Sequence, residues 1–540
     1  MLRLCALILS LLVVVGCMRV DPQAIAGDRH PYTKAGVLRI ADVSEPDHFN
    51  PLLSTMDLVE GLSSLVFSYL VIADDNGKLI GDLATEVPSL ANGGIGKDGR
   101  TVTYHLRKDV VWHDGVRFTS HDVKWTWTAV LNGRNNVFHR EGYSEVAGID
   151  TPDDATLVVH LKRRYPPFVT QFFTTLQEGA KSILPEHLLG KLPNINEAAF
   201  NAAPIGTGPF KFVRWDRGRG ITLVANENYF HGRPKLDRIE FVVIPDDNTI
   251  LAQVKSHDVD FVVSPPGSLV DQFRGLAGVT VDLAPWSGQS IFLMNNARPG
   301  LRDPAVRRAI SRAIDFDTII AKVTHGVGER AYDIIPPIAI GYVKNPPYAY
   351  DPAAARAILD KNGWKVGADG TRAKGTEKLD FVMSGIAGSA NSRALAVQIQ
   401  GWLHDVGISM TIKNYPYNIV FAYDGPIITG KYDFAYYSET LNYDPDNLTY
   451  LGCDRFPPKG ENSFRYCDPV VDAGERLGLT VDDPQKRAKI YAQVQRRIHE
   501  TIPYLPMYEL RRLSVRNSDM KGYRPSPTIA PWWNAWEWSI

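Results

Sequence analysis

Residues 104–127 read Tyr-His-Leu-Arg-Lys-Asp-Val-Val-Trp-His-Asp-Gly-Val-Arg-Phe-Thr-Ser-His-Asp-Val-Lys-Trp-Thr-Trp. This stretch constrains the fold most, because its apolar period changes within it. Val102, Tyr104 and Leu106 alternate with Thr103, His105 and Arg107, as in a half-buried strand. Asp114-Gly115 marks a tight turn between Trp112 and Phe118. Thr119 or Ser120 can cap the helix that follows, where Val123, Thr126 and Trp127 share a face. Pattern alone predicts a strand, a turn and a helix packed together.

The start of the chain predicts where it works. Arg3 gives a short positive region, and Leu4 to Val15 is an apolar run too short to span a bilayer. The run ends in Val14-Val15-Gly16-Cys17, which resembles a bacterial lipobox. An ordinary secretory signal with a chance cysteine is the alternative. Two or three acyl chains on Cys17 would anchor the protein stably, whereas one chain holds only marginally. Residues 18–35 are polar, carry Pro22, Gly27 and Pro31, and read as a flexible tether.

A chain of 540 residues can bury a large core and is expected to divide into two or three domains. Its net charge of −1, without long charge runs, gives no footprint for nucleic acid. No later segment is apolar enough to cross a membrane. Cys5 would leave with the signal and Cys17 would take the lipid, leaving Cys453 and Cys467 around a Pro/Gly-containing loop. An even pair in an exported chain reads as a disulfide, contributing about 3 kcal/mol in the chain-entropy model. A free pair or part of a metal site is the other reading.

Strands and amphipathic helices alternate along the rest. Val37 to Ala41, Ile221 to Ala225 and Ile239 to Ile244 read as strands, and Gly206-Thr207-Gly208-Pro209-Phe210 as a turn entering one. Asp303-Pro304 and Asp351-Pro352 are helix starts, with Asn362-Gly363 as a stop. Val306, Ala309, Ile310, Ala313 and Ile314 form one core stripe. Leu395, Ile399, Trp402 and Leu403 form another, and Tyr491, Val494 and Ile498 a third. This mixture argues for α/β or α+β layers.

Several segments together resemble the family 5 extracellular solute-binding proteins, the dipeptide-, oligopeptide- and nickel-binding components of ABC importers. They are the 104–127 string, Gly206 to Phe210 with Trp215, Asn226 and Tyr229, and Met294-Asn295-Asn296 leading into Leu301 to Asp315. Tyr432-Asp433-Phe434 and Asp444-Pro445-Asp446-Asn447 extend the likeness, which runs from about Val37 to the C-terminus. The resemblance implies an α/β, two-lobed periplasmic-binding-protein fold (cluster C-like) with three domains and an interlobe ligand cleft. Its implied divisions are domain I at 36–73, 206–293 and 511–540, domain II at 74–205, and domain III at 294–510. Dipeptide-binding members carry a bridge in a context like that of Cys453 and Cys467.

Catalytic readings find little support. There is no Gly-x-Ser-x-Gly elbow, no His-Glu-x-x-His helix and no phosphate loop, and Pro209 after Gly208 breaks any dinucleotide fingerprint. Asp153-Asp154, Asp246-Asp247 and Asp482-Asp483 sit beside turns or helix starts and read as caps. His105 and His113 lack a third ligand at metal spacing. Trp532, Trp533, Trp536 and Trp538 read as core packing, or more sharply as a cleft wall.

In peptide-binding members an Asp shortly before an Asp-Pro or Glu-Pro pair takes the peptide's amino terminus. Here Leu441 falls near that position and Glu439 is the nearest acid. Arg393 could meet a ligand carboxylate. The candidate ligand contacts are Glu45 and His48 in the turn after the first strand, Trp286, Arg393, Tyr436, Tyr437, Glu439 and Asn442. The expected protein is a monomeric, lipid-anchored, extracytoplasmic capture protein without enzymatic activity, cofactor or metal. It would hand peptides to ABC permease subunits. Alternatives are a nickel chelate, haem, sugar or opine on the same fold, an exported hydrolase, or a structural or sensory lipoprotein.

Overall fold

The computed structural model of the protein describes residues 29–540, apart from 55, 139, 141, 177–180, 388, 389 and 423. The signal segment, Cys17 and most of the tether lie outside the described residues.

The first half of the chain builds β1 (Val37–Asp42), α1 (Asp57–Val66), β2 (Thr101–His105), α2 (Ser120–Leu131), β3 (Val146–Asp153) and β4 (Thr156–Leu161). It continues with β5 (Phe210–Asp216), β6 (Gly220–Ala225), β7 (Arg238–Val243), α3 (Asp247–Lys255), β8 (Phe261–Val263) and β9 (Val279–Met294). The second half adds α4 (Pro304–Ala313), α5 (Pro352–Lys361), β10 (Asp380–Ile386), α6 (Ala390–Asp405) and β11 (Ser409–Tyr415). It closes with β12 (Phe434–Thr440), α7 (Pro469–Gly478), α8 (Pro484–Thr501) and β13 (Tyr504–Asn517).

One eleven-stranded mixed sheet carries both halves, in the order β11-β10-β12-β9-β13-β8-β1-β7-β6-β5, with Glu329–Arg330 paired on β13. β1 lies parallel to both β7 and β8, as the short crossovers of an α/β unit require. β9 and β13 are the long members, sixteen and fourteen residues, and they pair antiparallel along most of their length. Val279 to Pro285 pairs with 511–517 among the strands of the first half, and Gln289 to Leu293 pairs with 504–509 beside β12. The register slips between Pro285 and Gln289. Residues 286–288 therefore form an irregularity where two strands cross from one half to the other. Separate apolar cores flank that crossing: one runs through α1, the β2–β4 sheet and the C-terminal tryptophans, and another through α4, α5 and α6.

The local signals correspond to the elements. Val102 and Tyr104 are buried on β2 and Leu106 just past its end, and Thr119 caps α2 in a box with Asp122. Asp303 and Asp351 cap α4 and α5, each followed by proline in the first turn. All five residues of the Val306 stripe are fully buried. Trp402, at the edge of its stripe, remains partly exposed. Among the paired acids, Asp246 and Asp483 cap helices and Asp153 accepts from its own turn. Asp482 departs from the capping expectation: its carboxylate lies 2.8 Å from Arg164 of the other half.

His113 joins two of the sequence segments. Its Nδ1 accepts from Gly206 N at 3.2 Å and its Nε2 donates to Gly208 O at 3.0 Å, which fixes the neutral tautomer. Gly208 N in turn donates to Val66 O at 2.8 Å. A Cβ on either glycine would collide with the Val66 carbonyl group, so this approach of turn to helix end needs glycine.

Candidate functional site

The 286–288 irregularity turns Trp286 out of the ladder and makes it a wall of two cavities. The larger holds about 480 Å³, within the range of small-molecule sites. It lies at the C-terminal ends of the parallel strands β1 and β8, where open α/β sheets place ligands. Asp42 and Ser44 come from the end of β1, Asp57 from the start of α1, and Asp247 from the start of α3. Trp532 closes the floor. Ser264 on the rim holds φ at 44°, unusual without glycine.

Arg512 of β13 reaches this cavity with only 9% of its surface exposed. It packs over the Trp286 ring at 5.1 Å, and its Nη2 donates to Thr528 O at 3.2 Å. Among the described residues its Nε has no acceptor and no carboxylate stands within ion-pair distance. Trp286 Nε1 is likewise buried without an acceptor. Burial lowers the Arg512 pKa and raises those of Asp42 and Asp57.

The second cavity holds about 170 Å³ between Trp286, Glu329, Pro336, Glu509 and Arg511. Burial, reinforced by the nearby Glu329 charge, pushes the Glu509 carboxyl up to about 7. Pro336 also borders a small cleft lined by Glu439, Leu441, Asn442 and Tyr450. The halves also meet at two further contacts. Arg164 pairs with Asp482, and Tyr443 N donates to Leu176 O at 3.1 Å. Among the described residues no group of three His, Cys, Asp or Glu is placed to hold a metal ion.

A model of the bacterial extracellular solute-binding proteins, family 5, matches residues 78–455. The chain belongs to this family of solute-binding proteins. The oligopeptide-binding protein AppA of Bacillus subtilis is 28% identical over 517 residues, covering 93% of this chain and 92% of the relative. A structure of Bacillus subtilis AppA with a nonapeptide superposes with a TM-score of 0.73 at 26% identity, covering 94% of this chain and 99% of that one. NikZ from Campylobacter jejuni, in complex with Ni(L-His), gives 0.75 at 26% identity, over 94% of this chain and 100% of that one. Members of the family bind solutes and are not catalysts, and this solute-binding protein has their mixed α/β fold.

The structure distributes the expected contacts of this solute-binding protein unevenly. Trp286 stands at the centre, and Glu439 and Asn442 line the small cleft. Tyr436 is buried, sharing a 2.6 Å hydrogen bond with Tyr508 and donating to Ser290 at 3.3 Å. Tyr437 packs edge-on against Phe421. Glu45 accepts from Trp215 Nε1 and Gly218 N at 2.9 Å each, which ties the β1 loop to the β5–β6 turn. His48 is partly buried, with Nδ1 3.7 Å from Asp47. Arg393 is exposed on α6 and lines none of these cavities. Cys453 and Cys467 are joined as a disulfide. Of the C-terminal tryptophans, Trp532 and Trp538 are core residues, and Trp532 is also a cavity wall.

Arg512 and Asp57 escaped the sequence reading. The signal was the adjacent charges Arg511-Arg512 within the strand 504–517, which invite the question of their partners.

Proposed function

We propose that this solute-binding protein is the capture component of an ABC importer and that its solutes are peptides. The observation that carries the reading is the crossing of β9 and β13 between two halves with separate cores, with polar cavities gathered around Trp286. Two lobes joined by two strands can close on a ligand by hinge motion. Domain I at 36–73, 206–293 and 511–540, domain II at 74–205 and domain III at 294–510 are the proposed bodies. The peptide class is supported by the named activity of Bacillus subtilis AppA. A relative from Brucella melitensis, 28% identical over 99% of this chain, is provisionally named an ABC transporter peptide-binding protein.

The protein is further proposed to be a monomer, held at the outer face of a membrane by lipid on Cys17, where it can pass its cargo to permease subunits. Within the cleft, Glu439 takes the peptide's ammonium group, since a charge entering a closed site needs a counter-charge. Glu439→Gln should weaken binding by about 2–4 kcal/mol. Calorimetry with free and N-acetylated peptides tests this. Equal affinity for the two forms would remove Glu439 from the site. A nickel–amino-acid chelate is the second reading, favoured by the Ni(L-His) complex of Campylobacter jejuni NikZ. Binding of that chelate without any peptide binding would select it.

A further inference from the structure

We propose that the cavity at the ends of β1 and β8 receives a carboxylate of the captured solute on the guanidinium of Arg512. The inference rests on the peptide reading above and names the group that this cavity recognises.

Three observations converge. The first is the buried guanidinium of Arg512, whose one hydrogen bond to a described residue goes to the Thr528 carbonyl. Asp57 lines the same cavity but makes no ion pair with this guanidinium, whose hydrogen-bonding capacity is left unfilled, and a bidentate carboxylate is the partner that guanidinium geometry fits. The second is Trp286 on the same wall, a second buried donor without an acceptor. Both orphan groups can only donate, so the missing partner is an acceptor. The third is the start of α1, a helix of ten residues whose first turn lines the cavity. Met56 at its N-cap provides no side-chain cap. Its amide ends add positive potential toward the same space.

The acids of the cavity refine the class. Asp57 lines the cavity with Arg512, and Asp42 at the end of β1 and Asp247 at the start of α3 add two further carboxylates to its wall. A cation near the latter pair would relieve their repulsion. The solute suited to this space carries a carboxylate and a positive group together, as a free amino acid or a short peptide with a basic side chain does.

Calorimetry of the full chain with tetra-alanine, as free acid and as C-terminal amide, tests the proposal. The acid should bind at least about tenfold more tightly than the amide to the parent protein, in line with one charge-assisted bond. In Arg512→Gln that gap should fall below about threefold. If that variant does not fold, Arg512→Lys carries the test, because it keeps the charge and loses the planar fork. Equal binding of acid and amide to the parent overturns the Arg512 site and leaves the peptide reading standing. If neither form of tetra-alanine binds, succinate becomes the probe and decides the carboxylate site by itself. A rise in melting temperature with succinate in the parent but not in the variant supports the carboxylate site. No rise in either overturns it.

Discussion

Arg487 of α8 grips Asp444 with two hydrogen bonds of 2.8 Å, one from each terminal nitrogen, and both side chains are almost fully buried. Asp444 opens the Asp-Pro-Asp-Asn segment, two residues beyond Asn442 and five beyond Glu439. The pair therefore fixes to the helix behind it the loop that carries Asn442 and follows the Glu439 strand. Asp444→Asn should destabilise the protein by about 3–5 kcal/mol, because it strands a buried guanidinium. Denaturant unfolding measures this, and a loss below about 1 kcal/mol would show that the pair is dispensable.

His113 makes stability depend on pH. Burial pulls its pKa down from 6.5 to about 4, and its Nδ1 must stay unprotonated to accept from Gly206. The folded state thus binds this proton later than the unfolded chain does. Its contribution is complete above pH 6.5 and is lost as pH falls toward 4. Between pH 7 and pH 5 the loss is about 2 kcal/mol from this residue. His113→Gln should be less stable at pH 7 and should show a smaller drop to pH 5 by about that amount. An unchanged drop would contradict the tautomer seen here.

The Arg164–Asp482 pair should tune binding rather than folding. Arg164 is 41% exposed on its side chain and Asp482 is 11% exposed, so the pair is worth at most about 1 kcal/mol. Asp482→Asn should weaken solute affinity by up to about fivefold in low salt, and the difference should vanish near 1 M salt. A difference that persists in high salt would mean the residue acts through packing instead.

Anchoring is a separate expectation. Cys17→Ser should release the protein from membranes or leave it unprocessed, as read by detergent partitioning of the cell fraction. Unchanged partitioning would exclude the lipobox.

Much of the scaffold was legible because its signals are local. Asp303-Pro304, Asp351-Pro352 and the Val306 stripe each specify an element within a dozen residues, and Thr119 with Asp122 specifies another. The site was less legible because it is assembled across the chain. Arg512 reaches its cavity through a register that pairs it with Ala284 and beside a helix that starts at Asp57. Arg487 finds Asp444 across 43 positions. No periodicity encodes such meetings. Tyr436 shows the converse, since its polar end looked available to a ligand and is instead satisfied by Tyr508.

The protein is expected to hold a peptide in the cleft and give it back unchanged. Native mass spectrometry of the purified full chain after incubation with a defined peptide mixture tests it most directly, followed by denaturation and sequencing of what is released. One peptide per protein molecule, recovered with its original mass, is the expected result. A protein that carries no peptide, or that releases only cleaved fragments, would contradict it.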